Sequence, residues 1–321
     1  IRVGKTLVRA HEKPLAPDTV EMLVLGVMNP LLRRQLHRRR CVAFTFTLPE
    51  VGRWHVSVFH QRGFVEAVFH TINQRVPTLD DLGLPAALRQ FALSESGLVI
   101  VNGPLRSGKS TTLAAMLACI NKELPRTIVT IEDPIEFALE NDRSVIRQRE
   151  VGVDTKSFAD GLRQALHQDP DVIAVTDVPD GETADLVMRC AAGGHFVLAA
   201  MPTLDALQTL ERLVSLIPAD RRAWALHVLS VSLRAIVSQR LLPRVDGAGM
   251  VSAVEIVAVG EGIAGAIRTD KLEQIPNLMR AVPGAQPMDV SLRTLVLRRL
   301  VDLEVAVNNC QDPERLRKAL L

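Results

Sequence analysis

Gly103-Pro104-Leu105-Arg106-Ser107-Gly108-Lys109-Ser110, followed by Thr111, fits the pattern G-x-x-x-x-G-K-[ST]. The chemistry this spacing permits is polyphosphate binding. Small residues let successive backbone N–H groups curl around an anion, and a helix beginning at the loop's end adds its partial positive charge. Lys109 can reach the outer phosphates of a nucleoside triphosphate, and the Ser110 hydroxyl is suited to Mg²⁺. The candidate nucleotide-binding residues are Gly103, Pro104, Arg106, Ser107, Gly108, Lys109, Ser110 and Thr111, with Ser110 also the candidate metal ligand.

Two further stretches carry carboxylates where such a site would use them. The apolar run Thr127–Ile131 ends in Glu132-Asp133-Pro134-Ile135-Glu136, and Val172–Val175 ends in Thr176-Asp177. A carboxylate at the C-terminal end of a parallel strand faces the crevice where ligands bind in an α/β sheet. Glu132 is a candidate to polarise an attacking water or to hold Mg²⁺ through one, and Asp177 a candidate base or metal-side group. A solvated strand end is the bland reading of Glu132.

These groups need strands that end together, and the sequence supplies an alternation of strands and helices. Leu98–Val101 is a short continuous apolar run, as a buried parallel strand has. The other expected strands are Thr127–Ile131, Val172–Val175, His195–Ala200 and Met250–Val257. The expected helices are Pro85–Phe91, Ser110–Asn121, Ser157–His167, Gly181–Ala192, Leu204–Leu216 and Arg221–Val237, with a helical chain after Val259. That alternation predicts an α/β fold. Before it, Arg2–Val8, broken at Gly4-Lys5, predicts a hairpin. A helix capped by Asp18 and a second after Pro30 follow, then strands at Val42–Leu48, Trp54–Phe59 and Glu66–Ile72. Gln74–Leu84 is a linker candidate. The expected division is 1–76, a linker at 77–84, and 85–321.

Composition narrows the classes. The 321 residues are 47% hydrophobic and 23% charged, which suits a globular protein with a large core. A net charge of +2 gives no global field for nucleic acid. Arg33, Arg34, Arg38, Arg39 and Arg40 cluster locally; a solvated helix end is favoured over a surface for an acidic partner, because no aromatic residues interleave. Cys41, Cys119, Cys190 and Cys310 lie far apart and read as buried free thiols in a reducing compartment. No apolar run is long enough to span a bilayer, and the first residues lack a signal-peptide core, so a cytoplasmic protein without direct membrane insertion is expected.

Taken together, the motifs resemble the PilT/PilU branch of the type II/IV secretion ATPases, the type IV pilus retraction motors. Gly103–Met116 is similar to that family's phosphate loop and helix, and Thr130–Glu136 to its TIEDPIE stretch. Gln148–Gly152 with Asp154–Phe158, Ser238–Pro243 and Glu255-Ile256 are similar to further stretches. The resemblance runs through nearly the whole chain. It implies a RecA-like P-loop ATPase core, a small PAS-like α+β N-terminal domain without the opening strand that family members carry, and ATP with Mg²⁺ as cofactors. It also implies a hexamer or a mixed ring with a paralogue, acting on a pilus platform protein of the inner membrane. The family's extension motors often carry a four-cysteine zinc insert, which this chain lacks.

Departures from the family pattern fall at the reactive end. Where the family's second carboxylate strand ends in Gly-Glu, this chain has Thr176-Asp177. The histidine box reads Gly194 to Thr203, keeping His195 but placing Pro202 where the second histidine belongs. Arginines that reach a neighbouring subunit's nucleotide align with His55, Gly63 and His70; Arg53 and Arg62 lie nearby as trans-acting candidates. Arg106 stands where a glycine is usual. His195 is open between a packed residue at a strand start and a catalyst. The resemblance implies either a motor with impaired turnover or a nucleotide-binding subunit that regulates an active paralogue. A DNA translocase would need a basic groove.

Overall fold

The computed structural model describes residues 1–3, 6–10, 13–73 and 75–320. The expected break at Gly4-Lys5 and the linker's first residue, Gln74, lie outside these residues. The chain forms two compact units, Ile1–Gln74 with Pro134–Ala138, and Arg75–Asp133 with Leu139–Leu321.

In the first unit, β1 (Arg2–Val3) and β2 (Thr6–Leu7) pair antiparallel. Helix α1 (Pro17–Gly26) begins at Pro17, with Ala16 rather than Asp18 at the N-cap. Proline loses nothing at the first helical position, and Asp18 in the first turn still meets the positive end of the dipole. Asn29 caps α2 (Pro30–Arg39) by accepting from Leu32 N–H at 2.9 Å, and Arg40 closes it at φ 59°. Of the arginine cluster, Arg33 is spent on α1: it donates to Leu25 O at 2.6 Å and Met28 O at 3.1 Å. Strands β3 (Cys41–Leu48), β4 (Gly52–Gln61) and β5 (Phe64–Ile72) form an antiparallel meander. Phe44, Val56, Val58 and Val65 on one face meet Val24 and Leu36 of the helices and Met28 between them. Pro134–Ala138 joins this unit by a bridge between Asn73 and Phe137.

In the second unit, α3 (Ala87–Ala92) precedes a seven-stranded sheet. Its elements in chain order are β6 (Gly97–Asn102), α4 (Lys109–Glu123), β7 (Thr127–Glu132), β8 (Val145–Glu150), α5 (Phe158–Ala165), β9 (Val172–Val175), α6 (Gly181–Ala192), β10 (Phe196–Met201), α7 (Ala206–Ser215), α8 (Arg222–Ser232), β11 (Leu233–Pro243) and β12 (Met250–Ala258). The strand order is β12-β11-β6-β10-β9-β7-β8, parallel except for β12 against β11. Helices α9 (Glu261–Arg268), α10 (Ile275–Leu278), α11 (Met288–Leu297), α12 (Leu303–Val307) and α13 (Pro313–Leu320) complete the chain.

All six β6 residues are buried because both sheet faces are covered. Leu98 and Ile100 enter the core beneath α5 to α9, and Val99 and Val101 the core beneath α3 and α4. Each such side chain contributes ~1.5–3 kcal/mol by leaving water, so the strand that carries the loop is firmly anchored in the sheet. Leu79 and Leu84, inside the stretch expected as a linker, are buried in the second of these cores.

The structure corrects several expectations. The helix expected over Arg221–Val237 ends at Ser232, and Leu233 opens β11, which slots between β6 and β12. Strand β8 was not among the expected strands. Of the four cysteines, only Cys190 is buried; Cys41 is exposed and the others intermediate. No helix among the described residues is long and apolar enough to cross a membrane.

Candidate functional site

The loop leaves β6 at Gly103 and enters α4 at Lys109, with Gly108 as N-cap in the left-handed region at φ 87°. The polypeptide packs tightly here. A Cβ on Gly103 would overlap the Gln239 carbonyl oxygen and Ser107 Oγ, and one on Gly108 would lie 2.8 Å from Gln239 Nε2. Only glycine lets the loop lie against β11 in this way. Lys109 Nζ donates to Gly103 O and Pro104 O, both at 2.9 Å, so the ammonium is held over the mouth of the loop's own curl. Ser107 is 2% exposed, and its Oγ has no partner among the described residues. Ser110 and Thr111 follow in the first turn of α4, whose N-terminal N–H groups face the loop. A cradle that side chains would fill, a lysine over it and a hydroxyl in the first helical turn fit a Mg²⁺–nucleotide.

Arg106 has φ 63°, a left-handed conformation that costs a non-glycine residue ~1–2 kcal/mol. It is the third residue of a turn closed by Ser107 N–H to Pro104 O at 3.2 Å, where a positive φ favours glycine. Its side chain is exposed.

Behind the loop, a residue that the sequence reading quoted only as part of a matching stretch takes a structural part. Gln239 Oε1 accepts from Thr112 Oγ1 at 2.6 Å, and its Nε2 donates to Ser252 Oγ at 3.2 Å. This ties α4 to β11 and β12 immediately under the loop. Asn102, the last residue of β6, donates from Nδ2 to Thr203 O at 3.2 Å and thereby fixes the chain after β10. The signal that could have found Gln239 was its place in Ser238–Pro243, a stretch whose strand character went unrecognised.

The two carboxylates differ in setting. Glu132 ends β7 and is 9% exposed; its Oε1 accepts from Thr130 Oγ1 at 2.6 Å and Gln148 Nε2 at 2.8 Å. Glu150, 1% exposed, stands opposite it in register on β8. Asp177 follows β9, half-buried, and accepts from the Val178 N–H at 2.8 Å. Burial raises its carboxyl above the ordinary aspartate range, while the Val178 N–H and the Lys109 and Arg212 cations pull it back. Asp177 thus shares its electrostatics with the loop lysine and with Arg212 of α7, which the sequence reading did not single out. Arg212 lines an open cleft with Pro202, Thr203, Gln208, Glu211 and Ser215.

His195 is elsewhere. It precedes β10, its carbonyl accepts from Gly97 N–H at 3.1 Å, and its Nδ1 lies 3.0 Å from Cys190 O. The loop begins past the other end of β6, roughly 20 Å away at ~3.3 Å per residue. The geometry places His195 against the end of α6, away from the loop. The remaining candidates lie in the first unit. Arg53 is on β4, its Nε buried without a partner among the described residues. Arg62 and Gly63, at φ 52° and 88°, form the two-residue turn between β4 and β5, as a type I′ hairpin requires.

The family profile for type II/IV secretion system proteins matches residues 68–279. A twitching motility protein of Neisseria gonorrhoeae is 39% identical over 98% of this chain and 85% of its own length. The type IV pilus retraction ATPase PilT of Pseudomonas aeruginosa is 37% identical over 98% of this chain and 92% of its own. Among solved structures, a pilus retraction motor PilT with bound ADP superposes with a TM-score of 0.87 at 40% identity, covering 94% of this chain and 86% of that one. The mixed α/β unit with its mainly parallel sheet is the RecA-like ATPase core, and the antiparallel unit is the small N-terminal domain.

Proposed function

The chain belongs to the type II/IV secretion system protein family, and from that premise we propose that it is an ATP-binding subunit of a type IV pilus retraction motor with slow turnover. The observation that carries the proposal is the contrast between a complete phosphate cradle and a depleted reactive end.

In this reading the loop N–H groups and the α4 N-terminus bind the phosphates. Lys109 exchanges its loop carbonyls for the outer phosphates, and Ser110 holds Mg²⁺. The ion, when bound, neutralises charge on the transferred phosphoryl group. Glu132, oriented by Thr130 and Gln148, and Asp177 position the attacking water. A family-type ring of six places the nucleotide at a subunit boundary, with Arg53 and Arg62 the nearest trans-acting candidates. The expected setting is the cytoplasmic side of an inner-membrane pilus platform, in a homo-hexamer or mixed with a paralogue.

Phosphoryl transfer depends on placing water and neutralising charge rather than on covalent help. Asp177 is one methylene shorter than the family's glutamate, and a ~1 Å misplacement costs ~10²-fold. Missing trans arginines cost ~10³–10⁵-fold in related enzymes. Contacts made only in the transition state are the ones lost, which lowers kcat more than it raises KM. The same departures favour the second reading, a pseudo-ATPase that supports an active paralogue.

Mg-ATP titration beside a steady-state ATPase assay tests both. Wild type binds, and Lys109→Ala weakens binding by about ten- to a hundredfold, the ~1.5–3 kcal/mol of a hydrogen bond to a charged group. Turnover is slow and rises in Asp177→Glu. Turnover at the rate of an intact pilus motor refutes impairment, and none in any assembly leaves the pseudo-ATPase. Equal affinity of wild type and Lys109→Ala refutes nucleotide binding by this loop.

A further inference from the structure

We propose that Arg106 is a second cation for the bound polyphosphate, supplied from within the loop itself. The inference rests on the nucleotide-binding reading above and adds a recognition residue to it. Six other non-glycine residues of positive φ occur among the described residues, and all of them sit in the turn between two strands or at helix ends. Arg40 closes α2, Asp169 a short 3₁₀ turn, Asp270 and Arg299 follow α9 and α11, and Glu50 and Arg62 lie in the β3–β4 and β4–β5 turns. Arg106 alone sits in the phosphate loop. Strain held by an arginine where glycine costs nothing calls for a compensating interaction, and the free protein shows none. Its guanidinium has no hydrogen bond or ion pair among the described residues, and the side chain is exposed beside an 85% exposed Leu105.

The chemistry available to a guanidinium at this place is phosphate recognition. It is permanently charged and offers a planar fork of donors that matches phosphate oxygens. The loop's other cation, Lys109, is already held by two carbonyl oxygens before ligand arrives.

Three variants separate charge from strain. Arg106→Gly removes both, Arg106→Ala removes charge and keeps the strain, and Arg106→Lys keeps charge. Calorimetric titration with Mg-ATP at low and high salt, with thermal melting of the ligand-free protein, reads the result. Mg-ATP affinity falls about tenfold in both the Gly and Ala variants, the size of one charge-assisted contact, and its salt dependence flattens. Arg106→Lys stays within about threefold of wild type, since a point charge keeps attraction but loses the fork. Ligand-free Arg106→Gly melts above wild type and Arg106→Ala does not. Wild-type affinity and salt dependence in the Gly and Ala variants overturn the inference while leaving the Lys109 result standing. Failure of wild type to bind Mg-ATP overturns the functional reading and this inference together.

Discussion

Replacing Gln239 tests whether the phosphate loop is held from behind. In Gln239→Leu the side chain keeps nearly its shape, but the Thr112 hydroxyl, at a residue 0% exposed, loses its only described acceptor. A buried polar group left without its partner costs ~1–3 kcal/mol. Thr112→Val makes the complementary change and strands Gln239 Oε1 at a residue 2% exposed, with a cost of the same ~1–3 kcal/mol. Making both changes exchanges this hydrogen-bonded pair for apolar groups of similar shape, which is nearly neutral, and leaves only the half-buried Ser252 hydroxyl without its Gln239 donor. The two single costs therefore do not add, and the coupling approaches their sum, ~2–6 kcal/mol, against the ~0.5 kcal/mol scatter seen for independent sites. Urea unfolding of the four proteins measures the cycle, and Mg-ATP titration reports on the loop. Because Gly103 and Gly108 lie directly on residue 239, Gln239→Leu weakens Mg-ATP binding as well as stability. Additive costs, or a Gln239→Leu protein with unchanged stability and affinity, refute the buttress.

Asp177→Asn addresses the half-buried carboxylate. Its folded value is raised by burial, so the folded chain holds a proton that the unfolded chain has released. The associated stability is complete below the ordinary aspartate value of ~3.9 and is lost as pH rises through the folded value. Asp177→Asn therefore melts above wild type at neutral pH, converges with it in acid, and turns over no ATP; equal melting at neutral pH refutes the burial argument. Gly161→Ala tests the approach of α5 to β7, since the new Cβ meets both Ile131 γ carbons at 2.9 Å. Overpacking of ~1–3 kcal/mol outweighs the ~1 kcal/mol that alanine returns to a helix, so the melting temperature falls. A rise shows that the helix can move aside.

The parts of the fold legible in the sequence are those whose local and global demands agree. Val172–Val175 and Gly181–Ala192 keep the limits read from the sequence. One is an apolar run between turn residues, and the other opens on the Asp180 cap, which accepts from Thr183 N–H at 2.8 Å. Strand β11 was hidden because Ser230-Val231-Ser232-Leu233 offers no glycine or proline to end α8. The slot between β6 and β12 turns the chain there, which no local window reports. Strand β8 was hidden for another reason. As a sheet edge beside β7 it alternates charged and polar residues, Arg147 and Arg149 on one face, Gln148 and Glu150 on the other. In the site, the loop was readable from spacing alone. Gln239 and Arg212 were not, because they arrive from β11 and α7 and their part depends on where those elements pass. His195 shows the converse: membership of a recognisable stretch does not put a side chain at the strand end where the loop lies.

The short segment Pro134–Ala138 has a consequence for inheritance and recombination. It belongs to the first unit although β6, α4 and β7 separate it from the rest of that unit, and both backbone bonds of Asn73, from Asn73 N–H to Glu136 O and from Ala138 N–H to Asn73 O, end on it. The unit is thus encoded in two pieces. An exchange between relatives by a single crossover after residue 74 would pair one parent's sheet with the other parent's closing segment. The segment also begins two residues after Glu132, so changes in the first unit and changes at the carboxylate end of β7 are encoded one codon apart.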